Sequence, residues 1–450
     1  MQGNIPNFEQ QPRAQELPAT KPTATAAPNC FLMPFTSFAF QQKLWCSRRM
    51  NLVALHSSPF RTYIFSLHIA LNGFWAQRVI IGWLAWVLTD SPSFVGFVAF
   101  LNFVPTLFVS PFFGVIADRI DVRAGSIISY SCAGISSAVF AWICLAGALT
   151  PTLLAGFALL TGIISSANHP MRMSLTPRLA PQEHLSSVVA LTALNFNLSR
   201  LIGPAVGGGL VHAIGAPHSL MITALCYVVP AVAMWFMRVR DRSNGSATEP
   251  GSYARELLDG WLYANRVHLV RTAIIFSGIG SVAGRSVLET LPLLANGFFE
   301  RGPAGLGFMT AAAGAGAALA AIFKAMSPAQ QPDVFQTHVF VVLLLMPILV
   351  TGLSFVENFH VATAFVLTLG GCMTLLAISL QALVQMAIED HFRGRVMGLW
   401  TTVSIGSGAF GAFIMGLLVD QMGIALAQAT VGLVLACFAG FMILHSKIKN

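Results

Sequence analysis

Four ionisable side chains interrupt runs of sequence that are otherwise apolar enough to cross a bilayer: Arg78, Arg200, Arg285 and Glu289. A charge near the centre of a spanning helix costs roughly 2.5–3.5 kcal/mol on the insertion scale, so each should face a wet cavity or a partner. Guanidinium N–H groups bind anions, and a carboxylate can take up a proton. These residues are therefore candidates for anion and proton binding inside a membrane.

Arg285 and Glu289 are spaced i, i+4, so their side chains can touch on one helix face. Two interpretations stay open. The two can form a structural pair that neutralises itself, or Glu289 can bind a proton, because it is the only acid deep in a predicted span. Gln381 and Gln385 lie one turn apart, where they can bond a substrate or each other.

Arg78 has no counter-ion near it in the sequence and follows the amides Asn72 and Gln77. It is either an anion contact, with these amides as further substrate candidates, or a structural arginine that bonds another helix or snorkels. For Arg200 we favour a structural role, holding its helix to a neighbour close to Asn195.

The composition indicates a membrane protein. Of 450 residues, 55% are hydrophobic and 9% charged, and the mean hydropathy is +0.72. A soluble domain with this composition would expose large apolar patches that promote aggregation. The net charge of +8 favours basic residues at the cytoplasmic face over nucleic-acid binding. The sequence has no Walker A, G-x-S-x-G, CxxC or HExxH pattern, so we expect no enzyme, cofactor or metal site.

The apolar runs predict an all-α membrane protein with twelve transmembrane helices. The predicted spans are 63–88, 94–116, 125–148, 151–170, 188–213, 218–238, 270–296, 304–325, 336–356, 361–388, 396–419 and 423–445. A polar stretch divides them into two sets of six. The predicted organisation is a disordered tail (1–58), a first bundle (59–238), a linker (239–269) and a second bundle (270–450).

The linker is predicted to hold an interfacial helix over 253–268, because Leu258, Trp261 and Leu262 recur at helical spacing between charges. The tail is rich in Gln, Pro, Ala and Thr, which is typical of disorder. Alternatively, translation starts at Met50 and the preceding residues are a start-site artefact.

Lys and Arg at span ends and in loops, Arg301 apart, all lie on the side that holds both termini. The positive-inside rule therefore places both termini in the cytoplasm and the chain in the inner membrane. The two sets of spans also resemble each other. Segment 208–215 ends span 5 as 416–423 ends span 11, and Arg78 corresponds to Arg285. This indicates an internal duplication, with a pseudo-two-fold axis relating the two bundles.

A charged turn joins predicted spans 2 and 3. Gly114, Asp118, Arg119 and Arg123 occur there at the spacing G-x-x-x-D-R-x-x-x-R. This pattern resembles the loop 2–3 signature of the major facilitator superfamily. The resemblance implies a gating latch, in which Asp118 accepts hydrogen bonds from a helix N-terminus or from Arg123. Asp121 stands where the family has glycine and is expected to compete for the same arginines.

A second motif lies in span 5. Gly203, Pro204, Gly207 and Gly208 resemble the G-P-x-x-G-G motif of drug/proton antiporters in that superfamily. The glycines allow close helix approach and the proline permits a kink. Segments 77–83, 177–179, 197–200 and 392–397 look like the enterobactin-exporter branch, so the resemblance covers residues 60–446.

The resemblance implies a monomeric secondary transporter that works by alternating access and needs no cofactor. Its expected partners are the bilayer, protons and a small-molecule substrate, exported as a siderophore or an amphipathic drug-like compound. Three embedded arginines against one glutamate suit a carboxylate or catecholate better than a cationic drug. The alternatives are an importer of an organic anion and a non-transporting sensor or scaffold. Span 4 lacks the Arg-x-x-x-Gly signature of proton-coupled antiporters and has only Arg172 at its end, which leaves the coupling open.

Overall fold

The structure is a computed structural model that describes residues 52–110, 112–113, 116, 120–237, 253–327, 334–389 and 392–448. Its elements in these ranges are helices. They are α1 (Ser58–Thr89), α2 (Pro92–Phe108), α3 (Val122–Leu145), α4 (Pro151–Leu175), α5 and α6 (together Leu185–Phe236), α7 (Tyr253–Arg266), α8 (His268–Leu288), α9 (Gly302–Met326), α10 (Thr337–Leu353), α11 (Phe359–Ala387), α12 (Arg393–Met422) and α13 (Ile424–Ile448). Short 3₁₀ turns lie at Leu52–His56, Thr176–Leu179 and Gln182–His184, and a π-helical turn at Leu293–Phe298.

Each predicted span overlaps one helix, with ends that differ by up to eight residues: α2 ends at Phe108 and α8 at Leu288, before the predicted ends at 116 and 296, and α4 ends beyond 170. Helix α7 corresponds to no predicted span. Within the described residues, eight helices are long and apolar enough to cross a membrane, or nine if the bent pair formed by α7 and α8 counts as one span. One of the eight, Leu185–Phe236, contains a break, and α2 and α10 are shorter apolar helices. The all-helical class is confirmed, and the count of twelve spans stays a prediction.

The predicted repeat has a backbone counterpart. Gly215 interrupts the helical run at φ 79° and ψ 164°, which separates α5 (185–214) from α6 (216–236). Gly423 ends α12 at φ 80° and ψ 163°. Side chains disfavour this left-handed φ, so glycine is needed at both bends. The two segments matched by sequence therefore end in the same turn.

The folded part of the chain begins earlier than the predicted boundary at 58. Ala54 is fully buried, and its N–H donates to Ser187 Oγ at 3.4 Å. Ser57 Oγ donates to the Leu179 carbonyl at 2.7 Å. Residues 52–57 thus pack against the loop before α5. The predictions for 1–51 and 238–252 lie outside the described residues.

Helix α7 lies across the start of α8, at 111° to it. Its inner face packs on α12: the Tyr263 ring stacks on Phe392 at 4.4 Å, and a Cβ on Gly260 would lie 2.7 Å from the Arg395 carbonyl oxygen. Leu258, Trp261 and Leu262 remain exposed on the other face. An exposed apolar face on a helix that turns away from α8 fits the predicted interfacial position.

The two halves of the bundle meet backbone to backbone at one end, which we call the closed end; it holds the turn between α1 and α2. A Cβ on Gly416 would lie 2.5 Å from the Pro92 carbonyl oxygen, and one on Gly307 would lie 2.7 Å from that of Pro204. The Ser93 N–H also donates to the Asp420 carboxylate at 3.1 Å. Small residues allow this approach, which leaves the polar space between the halves nearer the other end.

Candidate substrate site between the halves

A cavity of about 410 Å³ lies between the two halves. Residues of α1 to α6 form one side, and residues of α8, α9 and α11 form the other. Many lining residues are small or aliphatic, and the aromatic and basic ones among them are Phe74, Trp75, Arg78, Phe103, Tyr130, His169, Arg172, Phe196, Arg200, Tyr227 and Arg285, with Glu289 as the one carboxylate in the described lining. Such a mixture of apolar walls and few polar groups is typical of small-molecule sites.

An ion cluster joins the halves across this cavity. Arg78 Nη2 donates to Glu289 Oε2 at 2.6 Å, and Arg285 Nη1 donates to Glu289 Oε1 at 3.4 Å. The Arg78 and Glu289 side chains are 18% and 17% exposed. Arg78 therefore has a counter-ion that its sequence neighbourhood does not show, because the acid belongs to the other half. Glu289 is shared between the i, i+4 partner and this more distant one.

The ring of Phe103 holds the two guanidiniums in place. The Cζ atoms of Arg78 and Arg285 each lie 4.4 Å from its centroid. Guanidiniums stack favourably on aromatic faces, and the interaction strengthens where water is excluded. An aromatic residue of α2 thus binds one cation from each half.

Positive charge exceeds negative charge in the lining. Arg200 contacts the Trp75 ring at 5.8 Å and Arg172 contacts the Phe196 ring at 5.6 Å, and neither makes an ion pair within the described residues. Arg172 Nε is buried without a hydrogen-bond partner there. Four guanidiniums face one carboxylate, which makes the cavity suited to anions.

Comparison with known proteins places the chain in a family. Residues 51–450 match the model of a family described as a transmembrane secretion effector. The chain belongs to this family of major facilitator superfamily transporters. The resemblance read from the loop 2–3 and span 5 motifs is thereby confirmed.

Two named relatives of this transporter handle siderophores. The staphyloferrin A transporter of Staphylococcus aureus (strain NCTC 8325 / PS 47) is 22% identical over 403 residues, which cover 86% of this chain and 96% of the relative. The enterobactin exporter EntS of Shigella boydii serotype 4 (strain Sb227) is 25% identical over 379 residues, which cover 82% and 87%.

Solved structures show the same fold. A bacterial homologue of the human lysosomal transporter Spinster, in an inward-facing and occupied conformation, superposes with a TM-score of 0.70 at 12% identity, covering 87% of this chain and 98% of that one. The nucleoside transporter NupG gives 0.62 at 14% identity, covering 87% and 98%. At these identities the likeness concerns the fold alone.

Of the four predicted amides, one lines the cavity, one lines a neighbouring recess and two line neither space. Gln77 lines the cavity and accepts a hydrogen bond from the Tyr227 hydroxyl at 2.7 Å. Asn72 is not among the lining residues, since its Nδ2 donates to the His68 carbonyl at 2.8 Å and lies 3.1 Å from His68 Nε2. Gln381 lines a smaller recess beside the cavity, whereas Gln385 lines neither space.

Asn195 and Asn197, which are close to Arg200 in the sequence, bond to backbone carbonyls. Asn195 Nδ2 donates to the Ile64 carbonyl at 3.1 Å, and Asn197 Nδ2 donates to the Ala193 carbonyl of its own helix at 2.9 Å. Arg200 lines the cavity, where its guanidinium faces the Trp75 ring of α1, and both its structural role and its substrate contact stay predictions.

Only one of the four loop 2–3 motif residues is described. Gly114, Asp118 and Arg119 lie outside the described residues, so the latch stays a prediction. Arg123 Nε donates to the Met234 carbonyl at 2.8 Å, and its Nη2 donates to that of Trp235. Asp121 Oδ1 accepts the Arg123 backbone N–H at 2.9 Å and caps α3. Its expected competition for arginine side chains stays a prediction, because Arg119 lies outside the described residues.

Glycines of the span 5 motif allow two close helix contacts. Cβ atoms on Gly203 and Gly207 would meet α1, at 2.9 Å from the Asn72 carbonyl oxygen and 2.7 Å from Ala76 Cα. One on Gly208 would meet the other half, 2.5 Å from the Pro303 carbonyl oxygen. The break in this helical run is at Gly215 and not at Pro204.

Arg172 and Phe103 are two of the cavity residues that sequence reasoning missed. Arg172 lies just beyond predicted span 4, which ends at 170, whereas α4 continues to Leu175 and carries Arg172 into the cavity wall. Phe103 gave no signal, because one phenylalanine within an apolar run is usually packing. A basic residue two positions beyond a predicted span end is the clue that would have found Arg172.

Proposed function

We propose that this transporter exports an anionic small molecule, of the siderophore type or amphipathic and drug-like, across the inner membrane. The observation that carries the proposal is the cavity lining, in which four arginines face one glutamate. Carboxylates and catecholates match guanidinium donors, and the aromatic walls suit flat or apolar parts of such a molecule. The names of the two siderophore-handling relatives support the same substrate class.

The proposed architecture is a monomer of two six-helix bundles with both termini in the cytoplasm. In that orientation the closed end faces outward and the cavity is accessible from the cytoplasm, as an exporter requires for loading. Outward opening separates the halves, so the bond between Arg78 and Glu289 must break. An anion can replace Glu289 on the arginines, and a proton entering from outside can neutralise the released carboxylate.

The test uses everted membrane vesicles with an imposed pH gradient. We expect accumulation of an anionic catecholate or polycarboxylate chelator, and a severalfold loss with Arg78→Gln or Arg285→Gln. Arg61→Gln, an exposed arginine at the start of α1, is the matched control. Unchanged transport of every anionic compound by both cavity variants would refute the proposal, and so would a preference for a cationic dye. Transport without dependence on the pH gradient would remove proton coupling only.

Import of an organic anion is the second candidate, because the same surplus of arginines suits an anion moving either way. Right-side-out vesicles separate the two directions. Uptake into these vesicles, with none into everted ones, would favour import. A sensor or scaffold would give saturable binding in both preparations with no movement.

A further inference from the structure

A second space opens beside the central cavity, within the second half of the bundle. It has a volume of about 270 Å³ and lies between α8, α11 and α12. Arg285 and Met373 line both spaces, so the recess adjoins the ion cluster. Its remaining polar residues are Ser277, Ser281, Gln381, Thr401 and Ser404, and its apolar ones include Leu376, Trp400 and Ile405.

Because Gly408 has no side chain, the Arg285 side chain can lie beside the recess. A Cβ there would lie 2.5 Å from Ser281 Oγ and would overlap the Arg285 Cδ. Gly284 similarly accommodates Met373, whose sulfur would lie 2.6 Å from a Cβ. These two glycines therefore leave the room that Arg285 and Met373 need to lie between the two spaces.

The hydroxyl groups of the recess are mostly committed as donors. Ser281 Oγ donates to the Ser404 carbonyl, and Thr401 Oγ1 donates to the Met397 carbonyl at 2.9 Å. Ser277 and Ser404 share one hydrogen bond, at 2.6 Å between their oxygens. Each hydroxyl has one proton and two lone pairs, so the recess presents mainly acceptors.

Gln381 adds an adaptable group at the mouth of the recess. It is exposed and makes no hydrogen bond within the described part of the chain, whereas the Thr401 hydroxyl already donates to a carbonyl. Its amide can accept from one ligand atom and donate to another. The recess therefore complements a group that carries a hydrogen-bond donor. Arg285, which lines both spaces, complements a carboxylate between them.

We propose that the recess is a subsite for a hydroxyl-bearing arm of the substrate, whose adjoining carboxylate binds Arg285. The ligand class is a hydroxycarboxylic acid, and the subsite selects for the hydroxyl. This inference rests on the proposed anionic substrate and deepens it. The oxygen atoms of Ser281, Thr401 and Gln381 can accept a hydrogen bond from the substrate hydroxyl. A substrate with a hydrogen atom at that position cannot form this bond, and a purely electrostatic site would bind the two substrates alike.

Citrate and tricarballylate provide the test, because they share three carboxylates and differ by one hydroxyl. Binding of each to the purified transporter is measured by calorimetry in a carboxylate-free buffer. One additional hydrogen bond corresponds to about a threefold to tenfold preference for citrate. In the double variant Gln381→Leu, Thr401→Val the preference for citrate over tricarballylate should fall below about twofold.

The control is Gln385→Leu, one turn along α11 and outside both spaces, which should keep the preference. Arg285→Gln should weaken both acids alike. Equal binding of the two acids by the unmodified protein would overturn the subsite and leave the anionic cavity standing, as would a preference that survives in the double variant. Binding of neither acid would overturn the subsite, and failure of an anionic catecholate to bind as well would overturn the proposed anionic site.

Discussion

Replacing Glu289 by Gln should open the closed end of the transporter. The carboxylate bridges Arg78 of the first half and Arg285 of the second, and its loss leaves two guanidiniums on the ring of Phe103. Since each Cζ lies 4.4 Å from the ring centroid, the two are no more than about 9 Å apart. At an effective dielectric constant of about 20, this corresponds to about 2 kcal/mol of repulsion. Separation of the halves relieves it.

A free-energy change of about 2 kcal/mol shifts a two-state equilibrium roughly 30-fold. An open population of about 1% would then rise to about a quarter. Spin labels on exposed loop residues of each half at the closed end, Ala148 and Glu357, report this distance by double electron–electron resonance in a cysteine-free background. A longer distance should appear in Glu289→Gln and not in Glu300→Gln, which changes an exposed acid.

The double variant Arg78→Gln, Glu289→Gln tests whether repulsion between the two guanidiniums opens the closed end. Arg78→Gln alone leaves Arg285 paired with Glu289, so its effect should be smaller. Combined with Glu289→Gln, it removes one of the two repelling cations and should return much of the population to the closed state. If the double variant is as open as Glu289→Gln, or if Glu289→Gln is unchanged, charge repulsion across the halves does not control the closed end.

Two further predictions concern glycines with matched controls on the same helix. Gly408→Ala should displace Arg285 and weaken carboxylate binding about tenfold by calorimetry, because overpacking costs about 1–3 kcal/mol, whereas Gly398→Ala, which meets nothing within 4 Å, should bind normally. Gly208→Ala should push the halves apart and lengthen the distance between the spin labels, whereas Gly209→Ala, in open space, should not. Normal carboxylate binding by Gly408→Ala, or an unchanged spin-label distance in Gly208→Ala, would contradict the close contacts at these glycines.

Features that depend on local backbone could be predicted from the sequence. Helix positions follow from apolar run length, and the matched bends at Gly215 and Gly423 follow from a residue that alone tolerates their φ. The ion cluster could not be predicted in full. Arg78 and Glu289 are 211 positions apart, and only the docking of the halves brings them together.

Asn72 could have been excluded from the cavity by helix geometry. It precedes Arg78 by six residues, which places the two side chains about 120° apart around the helix. The structure accordingly directs Asn72 toward His68 and Ser199, at 3.1 Å and 3.4 Å. Gln77, the neighbour of Arg78, reaches the cavity wall because the cavity encloses much of α1.

The central claim is that arginines in the cavity select an anion. Its most direct test compares binding of tricarballylate with that of its trimethyl ester to the purified protein, and repeats both with Arg200→Gln. We expect saturable binding of the acid, no binding of the ester, and a several-fold weaker acid affinity in the variant. Equal binding of acid and ester, or acid binding that is unaffected by Arg200→Gln, would contradict it.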